Sequence, residues 1–150
     1  MLLGRLRNVS SHVRRWTRSW KGSLDTRRSM WTLDTGLYQS YGRQGLSLAA
    51  ERMSQLRQLL DQHHIPLTIV VYPWPDQIYH RDLNSTQVVF WQKWAEENGA
   101  TMINLFPLFI NEADPGQTIR RYYIRGDTHW NKRGHALVAT RLSQELSALE

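Results

Sequence analysis

Cysteine is absent from all 150 residues. Disulfides, thiolate nucleophiles and thiolate metal ligands are thereby excluded together, and any chemistry must use serine, threonine, histidine, carboxylates or amides. No apolar run approaches the roughly 18 residues of a membrane span, and the start of the chain lacks the short apolar segment that precedes signal cleavage. The chain therefore reads as soluble, with its compartment open. Acidic residues are nearly missing from the first 28 positions, where Arg5, Arg7, Arg14, Arg15, Arg18, Lys21, Arg27 and Arg28 stand against Asp25 alone. That segment carries +7 of a total of +6, so the remainder is close to neutral. A domain that grips nucleic-acid phosphate spreads its cations over the folded surface, and no nucleic-acid motif accompanies these arginines. Nucleic acid is not expected as a partner.

Between Met1 and Gly22 the residues Leu2, Leu3, Leu6, Val9, Val13, Trp16 and Trp20 recur every three or four positions. This spacing predicts a basic amphipathic helix over residues 1–22. Such a helix packs on its own domain or lies on an anionic membrane or partner, and an acid-poor, Arg-rich start also has the form of a targeting peptide. Residues 23–150 are read as one α/β domain. Within it, residues 23–43 show no sustained period and read as a loop. From Leu46 the positions Leu46, Ala49, Ala50, Met53, Leu56, Leu59 and Leu60 form a helical stripe that stops before His63-His64-Ile65-Pro66.

Leu67 to Tyr72 is a continuous, largely β-branched run ended by Pro73-Trp74-Pro75, the form of a strand buried on both faces. Ser85 is placed to cap a helix carrying Val88, Trp91, Trp94 and Ala95, and Gly99 to close it. Trp91 and Trp94 fall on its inner stripe and read as core. Met102 to Phe106 is a second short strand, and Asn111 to Gln117 a polar loop. Asn131 caps a last helix with Val138, Ala139, Leu142, Leu146 and Leu149 inward. Helix, strand, helix, strand, loop, helix is the order of a layered α/β domain with a parallel sheet, whose ligands bind at the carboxyl ends of the strands. Trp74 and Trp130 both follow strand ends or loops on that side, and with Asn131 they are the residues expected to line a substrate cleft.

Asp127 and His129 lie two apart just before that last helix. A tight turn brings both into one pocket, where His takes a proton from a nucleophile and the carboxylate fixes its tautomer. Standing alone, an Asp-x-His pair would read as a turn residue and a loop histidine. Its surroundings, Gly126-Asp127-Thr128-His129-Trp130-Asn131-Lys132-Arg133-Gly134-His135, resemble the block that ends many SGNH-type (GDSL-like) ester hydrolases, including acyl-transfer relatives that modify bacterial envelope polymers. The likeness extends through Leu67–Pro75 and Met102–Pro107, and covers about two thirds of the chain. It implies a flavodoxin-like three-layer parallel sheet, His129 as the catalytic base, Asp127 as its orienter, and an acyl ester of a small molecule or glycan as substrate. No cofactor and no metal are implied. His135 is read as packing on or hydrogen-bonding to the Asp/His loop rather than as a ligand, and Arg125-Gly126-Asp127 spells an adhesion tripeptide by chance.

The family's Gly-Asp-Ser nucleophile block and its Gly and Asn oxyanion blocks are not found. Gly22-Ser23 is the nearest match, but no strand precedes it, and Ser23 is rejected as nucleophile. The expectation is an SGNH-type domain incomplete at its N-terminus, with the serine upstream or on a separate chain, or a decayed copy. The alternative is a non-catalytic module that contacts a membrane or partner through residues 1–22. An uncovered sheet edge would favour self-association.

Overall fold

The computed structural model describes residues 30–148. The predicted helix over 1–22, Ser23 and Leu149 lie outside them. The described chain is α/β. A 3-10 turn at Met30–Thr32 and a short helical turn at Thr35–Leu37 lead through a widened turn at Tyr38–Gly42 into a long helix, α1, Arg43–Gln62. Strand β1, Thr68–Val71, is followed by α2, Pro75–Tyr79, and α3, Thr86–Asn98. Strand β2, Thr101–Asn104, then leads to α4, Phe106–Ile110, α5, Pro115–Tyr122, and α6, Lys132–Ser147.

The two strands run parallel in the register Thr68↔Thr101 to Val71↔Asn104. Parallel strands need a crossover, and α2 and α3 supply it. Gly99, at φ +61°, ends α3 in the left-handed conformation that lets the chain turn straight into β2. Two apolar clusters hold the sheet. Ile69, Trp94 and Ala95 pack with Ala50, Met53 and Met102 on the α1 and α3 side. The larger cluster joins Val71 and Ile103 to Ile78 of α2, Phe106, Phe109 and Ile110 of α4, Ile119 and Tyr122 of α5, and Val138 of α6. The α/β class is as expected, and the sheet is incomplete beside the three-layer sheet that the resemblance implies.

Several sequence expectations change. The segment read as a loop over 23–43 is helical from Thr35 onward. Asp34 caps it, its carboxylate accepting from Leu37 N at 2.9 Å. Gly36, Gly42 and Gly45 conceal the helical period, and Gly42 is there for proximity: an added Cβ would lie 2.8 Å from the Trp31 ring. Gly42→Ala is expected to cost about 1 kcal/mol, the lower end for overpacking because the Trp31 ring can shift; equilibrium denaturation measures it. Leu56 and Leu59 of α1 are exposed rather than inward. At 100° per residue Leu59 stands about 135° from the centre of the stripe formed by Leu46, Ala50, Met53 and Leu60. Ala139 and Leu146 of α6 are exposed for the same reason, standing about 80–100° round from buried Val138. The second strand ends at Asn104, whose side chain accepts from Phe106 N at 2.9 Å and turns the chain into α4. Part of the supposed polar loop is α5, capped by Asp114 with Pro115 in its first turn. Ser85 stands at the start of α3, but its hydroxyl accepts from Gln77 Nε2 at 2.9 Å and caps nothing.

Strand β1 is buried on one face only. Ile69 and Val71 are buried, whereas Val70 and Tyr72 are each 37% exposed. Leu67 O and Val71 O accept from the β2 side, so the amides and carbonyls of Thr68, Val70 and Tyr72 point to the other edge. No described strand pairs there. Tyr72 O instead accepts from Gln87 Nε2 at 3.1 Å.

Candidate active site

The Asp/His pair is assembled by a short stretch of backbone. Asp127 N donates to Ile124 O at 3.0 Å, closing a four-residue turn with Gly126 at φ +76° in its third position, the place where a type II turn needs glycine. Gly126 of the Arg-Gly-Asp triplet is therefore a turn residue. Asp127 Oδ1 then accepts from His129 N at 3.1 Å, an Asx-turn that folds the chain back two residues on. The same oxygen lies 2.5 Å from His129 Nδ1. With one residue between them, the partners would stand roughly 7 Å apart along an extended chain; two successive turns bring them together. Ile124 N donates to His129 O at 3.0 Å, and Tyr123 pairs with Trp130 in an antiparallel bridge that closes the loop.

The hydrogen bond from the His129 side chain holds the Asp127 carboxyl below its ordinary range. Partial desolvation opposes this, and the backbone amides of His129 and Thr128 reinforce it. An ionised carboxylate only accepts, so Nδ1 carries a proton, and in the neutral ring Nε2 then holds the lone pair. That is the tautomer a general base requires. The His129 side chain is 78% exposed and that of Asp127 34%. Among the described residues none hydrogen-bonds the Nε2 edge of the ring. No described serine hydrogen-bonds His129; Ser40 bonds Leu37 O, Ser54 accepts from Trp94 and Ser85 from Gln77.

Behind the loop lies an aromatic floor. The Trp130 ring meets Tyr72 at 4.4 Å, stacks on Phe109 at 6.3 Å and takes the edge of His135 at 5.6 Å. His135 thus packs on the block, as its position suggested. Tyr123 donates its hydroxyl to Pro73 O at 2.6 Å, pinning the loop to the end of β1. Burial pushes this phenol well above the usual tyrosine range; the Trp130 side chain beside it acts in the opposite sense, though the buried indole N–H makes no well-formed hydrogen bond. Gly134, in the first turn of α6, is buried against the same structure. An added Cβ would lie 2.3 Å from Tyr122 O and 2.8 Å from Trp130 Cβ.

Trp74 lines a shallow groove of about 170 Å³ at the carboxyl end of β1, together with Val70, Val71, Tyr72, Gln87 and Trp91. Trp130 is not among the lining residues but adjoins the groove through Tyr72. Trp91, read as core, is half-buried and faces it. Tyr72 and Gln87 were not singled out from sequence; the only signal was the position of Tyr72 just beyond a strand that ends at prolines. Asn131 hydrogen-bonds within the protein through both atoms of its amide, which accepts from Arg133 N and Gly134 N and donates to Arg121 O and Tyr123 O.

A parallel β-α-β unit with an Asp-x-His pair at the carboxyl side of its strands fits an SGNH-type α/β domain. More narrowly, the family described as an SGNH hydrolase-like domain, acetyltransferase AlgX, matches residues 30–150, and the chain belongs to it. No curated protein and no solved structure matches the chain. Among the described residues no helix is long and apolar enough to cross a membrane.

Proposed function

We propose that this chain supplies the base and its orienting carboxylate to an acyl-transfer site of Ser-His-Asp type, acting on an acyl ester of a small molecule or glycan. The observation that carries the reading is the His129–Asp127 contact at 2.5 Å, with Nε2 facing outward. His129 takes the proton of a hydroxyl nucleophile and returns it to the leaving group, while Asp127 holds the tautomer and stabilises the imidazolium. The nucleophilic serine is contributed by a segment or chain other than residues 1–150. The half-exposed face of β1 and its unpaired edge support this, because an edge of this kind is the natural seat for more of the sheet or for a second chain. Trp74 and Trp130 flank the groove side of the site, and Asn131 belongs to its frame.

The test is turnover of p-nitrophenyl acetate by the 150-residue chain and by a longer protein that includes the coding sequence on both sides. The longer protein should turn over the ester and lose that activity with His129→Ala, while the 150-residue chain should show none that depends on His129. Activity of the longer protein unchanged by His129→Ala would overturn the reading. The net +7 of the first 28 residues favours a second role, contact with an anionic membrane. Removal of residues 1–22 is then expected to abolish salt-sensitive binding to phosphatidylserine vesicles in a sedimentation assay; binding unchanged by the removal would end that reading.

A further inference from the structure

We infer that Asn131 is a positioning residue, whose single side chain caps two helices at once and thereby sets the geometry of the loop between them that carries Asp127 and His129. The inference rests on the reading of His129 as the base. Helix α5 ends at Tyr122 and α6 begins at Lys132, so the loop leaves one helix at its carbonyl end and enters the next at its amide end. Each end exposes backbone groups that the helix itself cannot pair. Asn131 meets both needs. Its Oδ1 accepts from Arg133 N at 2.9 Å and Gly134 N at 3.1 Å, the N-cap of α6. Its Nδ2 donates to Arg121 O at 3.0 Å and Tyr123 O at 3.1 Å, and its backbone N to Tyr122 O at 2.9 Å, three successive carbonyls at the end of α5.

An ordinary N-cap needs only the acceptor, and Ser or Asp would serve α6 equally well. The two side-chain donors are the part that a helix cap does not explain. They join the exit of the loop to its entrance, across the turn at Ile124–Asp127. The turns within the loop bring Asp127 Oδ1 to the His129 ring, and those turns are strung between the two ends that Asn131 joins, with no third side chain of a described residue hydrogen-bonding either partner. Asn131 therefore acts through His129 without touching a substrate.

Asn131→Ser and Asn131→Asp separate the two functions, because both keep an acceptor for α6 and both lose the donors to Arg121 O and Tyr123 O. The readout is the tautomer of His129 in the full chain, from long-range ¹H–¹⁵N spectra at alkaline pH, where an ordinary imidazole is neutral. The natural protein is expected to show the Nδ1–H form alone. Each variant should show loss of that exclusive form, with the pattern moving towards that of Asp127→Ala, while the amides of Arg133 and Gly134 stay protected from exchange. A cap with no positioning role would lower the melting temperature and leave the ring spectrum as it was. That result, in either folded variant, overturns the inference. Should neither variant fold, exchange of the Asn131 side-chain amide in the natural protein decides: at least tenfold slowing relative to a free amide supports the double cap, and exchange at the free rate overturns it. None of these readouts depends on ester turnover, so an inactive protein does not affect the outcome.

Discussion

Gly134→Ala is expected to destabilise the protein by about 3 kcal/mol, the upper range for overpacking. Glycine within a helix ordinarily costs roughly 0.5–1 kcal/mol relative to alanine, so in an open helix this change would stabilise. Here the added Cβ would stand 2.3 Å from Tyr122 O and 2.8 Å from Trp130 Cβ. Neither neighbour is the free end of a flexible side chain. Tyr122 O is fixed because it accepts from Asn131 N at 2.9 Å, and Trp130 is wedged between Tyr72 and Phe109. The clash therefore outweighs the gain in helix propensity. For a domain of this size the loss corresponds to a fall in melting temperature of about 6–12 °C, read by calorimetry. An unchanged or raised melting temperature would mean that α6 is not pressed against the end of α5.

The second large effect concerns activity rather than stability. In a protein that includes its nucleophile, His129→Ala should lower kcat by about 10⁴- to 10⁶-fold, and Asp127→Asn by about 10⁴-fold. Neither change should move the melting temperature at neutral pH by much, because the His129 side chain is exposed to solvent and its pair with Asp127 is screened. The pH dependence carries a definite sign. Asp127 has a lowered folded pKa, so whatever it adds to stability is present above its unfolded value near 3.8 and disappears as the pH falls through the lower folded value. His129→Ala removes the largest cause of that lowering. The Asp127 carboxyl should then titrate closer to 3.8, measured by carboxyl-carbon NMR; a titration identical in both proteins would show that the pair does not form in solution.

The Asp/His loop was legible from sequence because its geometry is local. Gly126, Asp127, His129 and Asn131 make their decisive hydrogen bonds within about ten residues, and glycine, Asx-turn and cap each leave a mark on the residue type. The C-terminal end of α3 was legible for the same reason, with Gly99 closing it, whereas Ser85 marks the start of the helix without capping it. The prolines misled. Pro73 and Pro75 were read as the end of β1, and Pro75 also starts α2; Pro107 and Pro115 stand in the first turns of α4 and α5, where a missing amide costs nothing, and no helix start was read from either. Asp114 before Pro115 was the available signal. Of the groove at the end of β1 only its place and Trp74 were legible; the rest of its lining depends on which edge of the strand is left open and on how α3 presents Gln87 and Trp91 to it. Both are properties of assembly that no local pattern encodes.

The loop also bears on how such a site could come into being. A base and carboxylate fixed by neighbours in sequence need no contact from the rest of the sheet to find each other. Their loop-closure entropy is small and is met when α5 and α6 fold, before any distant segment docks. Under the proposed function, whatever brings the nucleophile and the oxyanion donors meets an Asp/His pair that is already assembled.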